Sequence, residues 1–165
     1  MNKYNILLIL LACVVCIGAD RDKATVLTVI DGDTLKISYH GRRESIRLIG
    51  IDAPEIMRNK KAYRDSRRQG RDINSITSQG RLAKKYVKSL VKKGIVVTIQ
   101  FDVERRDKYR RLLGYVYLPD GRMLNDVIIR NGYASPLSIP PNIKYRNRFL
   151  QSYRYARKHG RGLWK

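Results

Sequence analysis

Arg47-Leu48-Ile49-Gly50-Ile51-Asp52-Ala53-Pro54-Glu55 is the stretch on which the rest of the chain turns. An apolar run suited to a strand carries one arginine at its start and two carboxylates past its end, where Pro54 cannot donate a further ladder hydrogen bond. Charge is therefore gathered at a strand terminus. Upstream, Asp31 and Asp33 stand in Ile30-Asp31-Gly32-Asp33-Thr34, between two runs of strand composition. Residues two apart in an extended segment project to the same side. If the two strands pair, Asp31, Asp33, Asp52 and Glu55 converge, and two carboxylates about 4 Å apart repel by roughly 4 kcal/mol at an effective dielectric near 20. Such a group needs a cation or a partner arginine. Oxygen-only donors suit calcium or magnesium, because no thiolate and no suitably spaced histidine pair accompanies them. His40 falls in an expected turn and His159 near the tail, so both read as solvated surface residues.

The 165 residues suffice for one domain with a single core, and 43% apolar residues is ordinary for a globular chain. Against 14 Asp and Glu stand 35 Lys and Arg, a net charge of +21 that favours a polyanionic partner, either nucleic acid or an acidic membrane surface. Residues 1–19 read as an export signal. Lys3 gives a positive start, Ile6 to Ile17 an apolar run too short for a comfortable membrane span, and Gly18-Ala19 a cleavage site before Asp20. The expected location is secreted or extracytoplasmic. Leu10-Leu11-Ala12-Cys13 also resembles a bacterial lipoprotein box, so a membrane anchor through Cys13 is the alternative. Cys13 and Cys16 both lie in this leader, and a chain cut after Ala19 has neither disulfides nor thiolate metal sites.

Residues 20–165 read as one domain. Ala24 to Ile30, Thr34 to Tyr39 and Glu44 to Ile51 form a meander with turns at Asp31-Gly32-Asp33 and His40-Gly41. The segment from Ile56 to Thr77 is basic, with few apolar anchors, and is expected to be a mobile solvated loop or a basic flap over a phosphate chain. A helix is predicted from Gln79 to Lys93, with Leu82, Ala83, Tyr86, Val87, Leu90 and Val91 as its stripe and Gly94 as its left-handed end. Ile95 to Phe101 and Leu112 to Leu118 are further strands, and Met123 to Arg130 is a short helix. Asn142 is expected to cap a last helix that buries Tyr145, Phe149, Tyr153 and Ala156. Five strands with about three helices predict a small closed β-barrel with helical covers, an α+β chain of OB type. Arg105-Arg106-Asp107-Lys108-Tyr109-Arg110-Arg111 falls between the fourth and fifth strands. In a compact barrel that loop lies near the one joining strands one and two, which would carry Arg111 towards Asp31 and Asp33.

Three motifs in register now resemble the staphylococcal nuclease family: Val29-Ile30-Asp31-Gly32-Asp33-Thr34, Arg47 through Glu55, and Asp107-Lys108-Tyr109-Arg110-Arg111. The likeness continues through Asp120-Gly121-Arg122-Met123-Leu124-Asn125, Asn131-Gly132 and Gly162-Leu163-Trp164. It implies a calcium-dependent, sugar-nonspecific nuclease acting on DNA and RNA and leaving 3′-phosphates. Asp33, Asp52 and the Ala53 carbonyl would ligate Ca²⁺, with Asp31 nearby. Glu55 would be the general base, Arg47 and Arg111 the catalytic arginines, and Lys108 and Tyr109 the contacts to a terminal phosphate. The residue types suit phosphodiester hydrolysis, which needs a base for water and a sink for phosphoryl charge.

The sequence also departs from the pattern. Arg110 stands where the family has glycine, and Ala53 where the staphylococcal enzyme has threonine. Leu137 and Ile139 fall where two stacking tyrosines are expected, leaving Tyr133 as a candidate replacement. The rival readings are a non-catalytic barrel that binds nucleic acid and a lipidated protein whose charge serves a membrane. No stable protein partner is predicted, and the chain is expected to be a monomer.

Overall fold

The computed structural model describes residues 21–165, so the expected leader, with Cys13 and Cys16, lies outside the described residues. In chain order the elements are β1 (Arg21–Val29), β2 (Thr34–Tyr39), β3 (Arg42–Leu48), β4 (Ile51–Asp52), α1 (Lys60–Gln69), α2 (Ile73–Leu90), β5 (Val96–Gln100), β6 (Leu112–Tyr117), α3 (Leu124–Arg130), β7 (Ser135–Pro136), α4 (Arg146–Lys158) and a 3₁₀ turn (Gly162–Trp164). Five of the strands close into a barrel in the order β1-β2-β3-β6-β5. All neighbours are antiparallel except β3 and β6, which run parallel. The OB-type barrel expected from the strand pattern is the one observed.

Alternation explains the barrel interior. Val26, Leu35, Ile37, Ile46, Leu48, Val97, Ile99 and Val116 are buried, whereas Val96, one residue out of phase, is half exposed. His40 and Gly41 both take positive φ at the β2–β3 hairpin, the backbone of a type I′ turn. Among the described residues no helix is long and apolar enough to cross a membrane.

Three sequence expectations need correction. The run Glu44 to Ile51 is not one strand: β3 stops at Leu48, Gly50 turns at φ 80°, and β4 leaves the barrel to pair with β7. A side chain at position 50 would also collide with the Phe149 ring, so glycine is required there twice over. The basic segment is not a loop but two helices, with Asn59 and Asp72 as N-caps and Gly70 (φ 60°) closing the first. Helix α2 consequently starts at Ile73, adds Ile76 to the buried stripe and leaves Leu82 exposed. Asn142 does not cap the last helix, whose N-cap is Tyr145; it instead exchanges two 2.8 Å hydrogen bonds with the Glu104 backbone.

Asn125 fixes the kinked segment against the barrel. Wholly buried, it accepts from the Val116 amide at 3.0 Å and donates to the carbonyls of Ile49 (2.8 Å) and Gly114 (3.3 Å). Asn125→Ala strands these buried groups and should lower the unfolding free energy by about 3 kcal/mol, measured by urea denaturation. A loss below about 1 kcal/mol would show that water replaces the amide.

Candidate active site

Small residues bring the two acidic segments together. A methyl group at Gly32 would lie 2.6 Å from the Ala53 Cβ and 3.0 Å from the Ala83 Cβ, so the first turn packs against the residues after β4 and against α2. Gly80, a turn earlier on α2, allows the same close approach: the Pro54 carbonyl oxygen would be 2.7 Å from a Cβ there. The Pro54–Glu55 backbone thus lies directly on the helix.

Asp33 is buried, and its Oδ2 accepts the Ala53 amide at 2.7 Å. Its Oδ1 accepts the Thr34 hydroxyl at 3.1 Å and pairs with Arg47. The same guanidinium reaches Asp52 Oδ1 at 3.1 Å and the Ile51 carbonyl at 3.2 Å. One arginine therefore joins Asp33 to Asp52. Asp31 accepts the Asp33 amide at 3.1 Å; burial pushes its carboxyl pKa up, against the lowering fields of Arg47 and Lys61 and the Thr34 hydrogen bond.

Glu55 is held by two residues of the basic segment that sequence reasoning passed over. Lys61 Nζ lies 2.9 Å from Glu55 Oε1, and Asn59 Nδ2 donates to Oε2 at 2.7 Å. Lys61 also reaches the Ala53 carbonyl at 2.9 Å, Asp52 Oδ1 at 3.2 Å and Asp65 Oδ2 at 3.8 Å. Asp65, buried on α1, is a further missed acid, with Arg64 and Arg68 at 3.9 and 3.6 Å. Among the described residues, no three or more His, Cys, Asp or Glu side chains are grouped to hold a metal ion by themselves. The acids are instead interleaved with the chain's own cations.

The basic loop between β5 and β6 is anchored on both sides. Arg106 grips Glu44 of β3 through two hydrogen bonds of 2.9 and 3.2 Å. Asp107 accepts the amides of Tyr109 and Arg111 and binds the Arg111 guanidinium at 2.7 to 2.8 Å. Arg110 adopts φ 64°, so the left-handed turn survives without glycine, at a backbone cost of about 1 to 2 kcal/mol. The result is a cleft of about 590 Å³ that Arg47, Asp52, Lys61, Lys108, Tyr109 and Arg111 line together. Arg64 and Arg68 of α1 complete the positive wall, while Leu137 and Ile139 supply an apolar one. Glu55, Asp31 and Asp33 do not line the cleft themselves: Lys61 links Glu55 to it, and Arg47 links Asp33. Tyr133, the expected stacking candidate, does not line this cleft; its ring stacks on Tyr86 at 4.2 Å.

Comparison with known proteins gives the family. Residues 45–165 match the family model described as staphylococcal nuclease homologue. The chain belongs to that family. The chain is 33% identical over 136 residues to the thermonuclease of Staphylococcus intermedius, covering 82% of this chain and 72% of that one. The thermonuclease of Staphylococcus hyicus is 27% identical over 147 residues, covering 89% and 78%. The endonuclease YncB of Bacillus subtilis is 33% identical over 137 residues, of which the chain spans 58% of the relative's length. As a staphylococcal nuclease homologue the chain is a nuclease, a hydrolase of phosphodiester bonds. The family match begins after Asp31 and Asp33, so their place beside Asp52 rests on the packing of Gly32 and on the Asp33–Arg47–Asp52 contacts.

Proposed function

We propose that this nuclease is calcium-dependent and indifferent to the sugar, cutting both DNA and RNA by water attack at phosphorus and leaving 3′-phosphate ends. The observation that carries the reading is the Asp33–Arg47–Asp52 cluster opening onto a cation-lined cleft. Glu55 takes a proton from the attacking water. The new bond forms between the water oxygen and phosphorus, the bond to the 5′-oxygen breaks, and that oxygen takes up a proton from solvent. Arg47 and Arg111 stabilise the charge that grows on the phosphoryl oxygens. Arg111 is available for this once a phosphate competes with Asp107 for its guanidinium. Lys108 and Tyr109, at the cleft wall, receive a terminal phosphate.

The residues present fit a hard cation: the Lys61 ammonium is already seated on oxygens of Asp52, Ala53 and Glu55, and no nitrogen or sulfur donor is among them. Asp33, Asp52 and the Ala53 carbonyl would hold calcium, with Asp31 beside them. When bound, calcium supplies positive charge to the phosphoryl oxygens. Contacts made by Lys and Arg to phosphates account for indifference to sequence and sugar. Export through residues 1–19, with lipidation at Cys13 as the alternative, and action as a monomer complete the reading.

The test is hydrolysis of labelled single-stranded DNA, duplex DNA and RNA by the purified chain, before and after a calcium-selective chelator. Cleavage of all three is expected to fall by at least about a hundredfold on chelation and to return with added calcium. Undiminished cleavage in chelator would remove calcium from the mechanism.

A further inference from the structure

Lys61 takes two of the oxygens that a bound metal would need. Its ammonium has three donors, and within 3.2 Å it meets the Ala53 carbonyl, Glu55 Oε1 and Asp52 Oδ1, with Asp65 Oδ2 at 3.8 Å. Two of these, Asp52 and the Ala53 carbonyl, are proposed calcium ligands. Calcium needs its oxygens at about 2.3 to 2.6 Å and brings two positive charges, so an ammonium seated on the same atoms opposes its entry by charge repulsion, adding to that of the Arg47 guanidinium already on Asp52 Oδ1. We infer that Lys61 is a tethered cation that competes with the metal for its seat and sets the calcium concentration at which the site fills. The inference rests on the calcium reading above.

The local fold suits a side chain that must leave and return. Lys61 sits in the first turn of α1, which Asn59 caps through the Ala62 amide at 2.9 Å. The helix start is therefore held independently of where the ammonium points. Lys61 also lines the open cleft, so it can swing into it without unwinding the helix. While the ammonium is seated, only the fraction of molecules with Lys61 released can accept the metal, and the apparent affinity falls by that fraction. Arg64 and Arg68 are one turn and two turns further along the same helix and line the same cleft, but they pair with Asp65. They contribute to the field without occupying the seat.

Calorimetric titration with calcium, without substrate, of the wild type, Lys61→Met and Arg64→Met tests this. Lys61→Met should bind calcium at least about tenfold more tightly than wild type, whereas Arg64→Met, which removes an equal charge from the same helix, should gain less than about threefold. Equal gains in both variants would reduce Lys61 to general electrostatics and overturn the inference, as would unchanged or weaker binding in Lys61→Met. Both of those results would leave the calcium reading standing. If neither wild type nor Lys61→Met bound calcium, the calcium reading itself would fail and take the inference with it. Should Lys61→Met not fold, the wild type supplies the answer through NMR: on adding calcium the ε-methylene signal of Lys61 should move and that of exposed Lys60 should not. A stationary Lys61 signal at saturating calcium would overturn the competition.

Discussion

Glu55→Gln should lower turnover by about a thousandfold while leaving substrate affinity nearly unchanged, the magnitude expected when a positioned general base is removed. The substitution keeps the shape of the side chain and an oxygen that can accept from Lys61 or Asn59, which now stand 2.9 and 2.7 Å from the carboxylate. The amide has no basic oxygen for the proton of the attacking water. Glu55 lies on backbone that packs against Gly80 and does not depend on its own charge for position. Pre-steady-state cleavage of a labelled oligonucleotide separates the two effects: the loss should fall on kcat, with KM or the directly measured Kd within about threefold of wild type. A drop of less than about tenfold in kcat would assign the base to another group. Asp65 is the acid to examine next, because it is buried, lines the same cleft and lies beside Lys61.

The barrel was legible because it follows from period-2 alternation and turn chemistry; the expected convergence of four carboxylates is not what forms, since Arg47 stands between Asp33 and Asp52 and Lys61 holds Glu55. Val97, Ile99 and Phe101 face inward as the alternation requires, and Asp31-Gly32-Asp33 forms the turn that its glycine permits. Topology placed the β5–β6 loop beside β3, so that Arg111 shares a cleft with Arg47 and Asp52, but its guanidinium is held by Asp107, and Asp31 and Asp33 do not line that cleft. What the sequence hid lies between Ile56 and Thr77. Helix α1 buries only Ala62 and Asp65, so it carries no apolar stripe, and a search for hydrophobic period finds a loop. Its boundaries were nonetheless written in capping residues: Asn59, Gly70 and Asp72 sit where helix starts and stops require them. The break at Gly50 was hidden for the opposite reason. Leu48, Ile49 and Ile51 are all buried, so apolar character runs unbroken through a kink that only the positive φ of the glycine makes. Lys61 could not be singled out from the surrounding cations by sequence, because its partners within 3.2 Å are separated from it by six to nine residues and by a change of element.

Arg47 joins Asp33 to Asp52 and is proposed to stabilise phosphoryl charge, so Arg47→Met should be costly on both counts. Its guanidinium is the cation between Asp33 and Asp52, and the Asp33 side chain is only 4% exposed. Removing one partner of a buried pair leaves the other charge uncompensated, which costs about 3 to 5 kcal/mol. That is a large share of the roughly 5 to 15 kcal/mol typical of a whole domain, so thermal unfolding should show the loss plainly. Catalysis should fall by about 10² to 10³ as a donor to the phosphoryl oxygens disappears. The two losses separate under saturating calcium. On the proposed calcium site, a metal held by Asp33 and Asp52 would bind only the folded chain and restore stability in proportion to ln(1 + [L]/Kd), without replacing the guanidinium proposed to meet the phosphate. The expected outcome is therefore a variant whose unfolding temperature recovers with calcium while its turnover stays low. If turnover recovered together with stability, Arg47 would serve only to hold the two aspartates together. If neither stability nor turnover changed from wild type, the Asp33–Arg47–Asp52 cluster would not be the centre of this site.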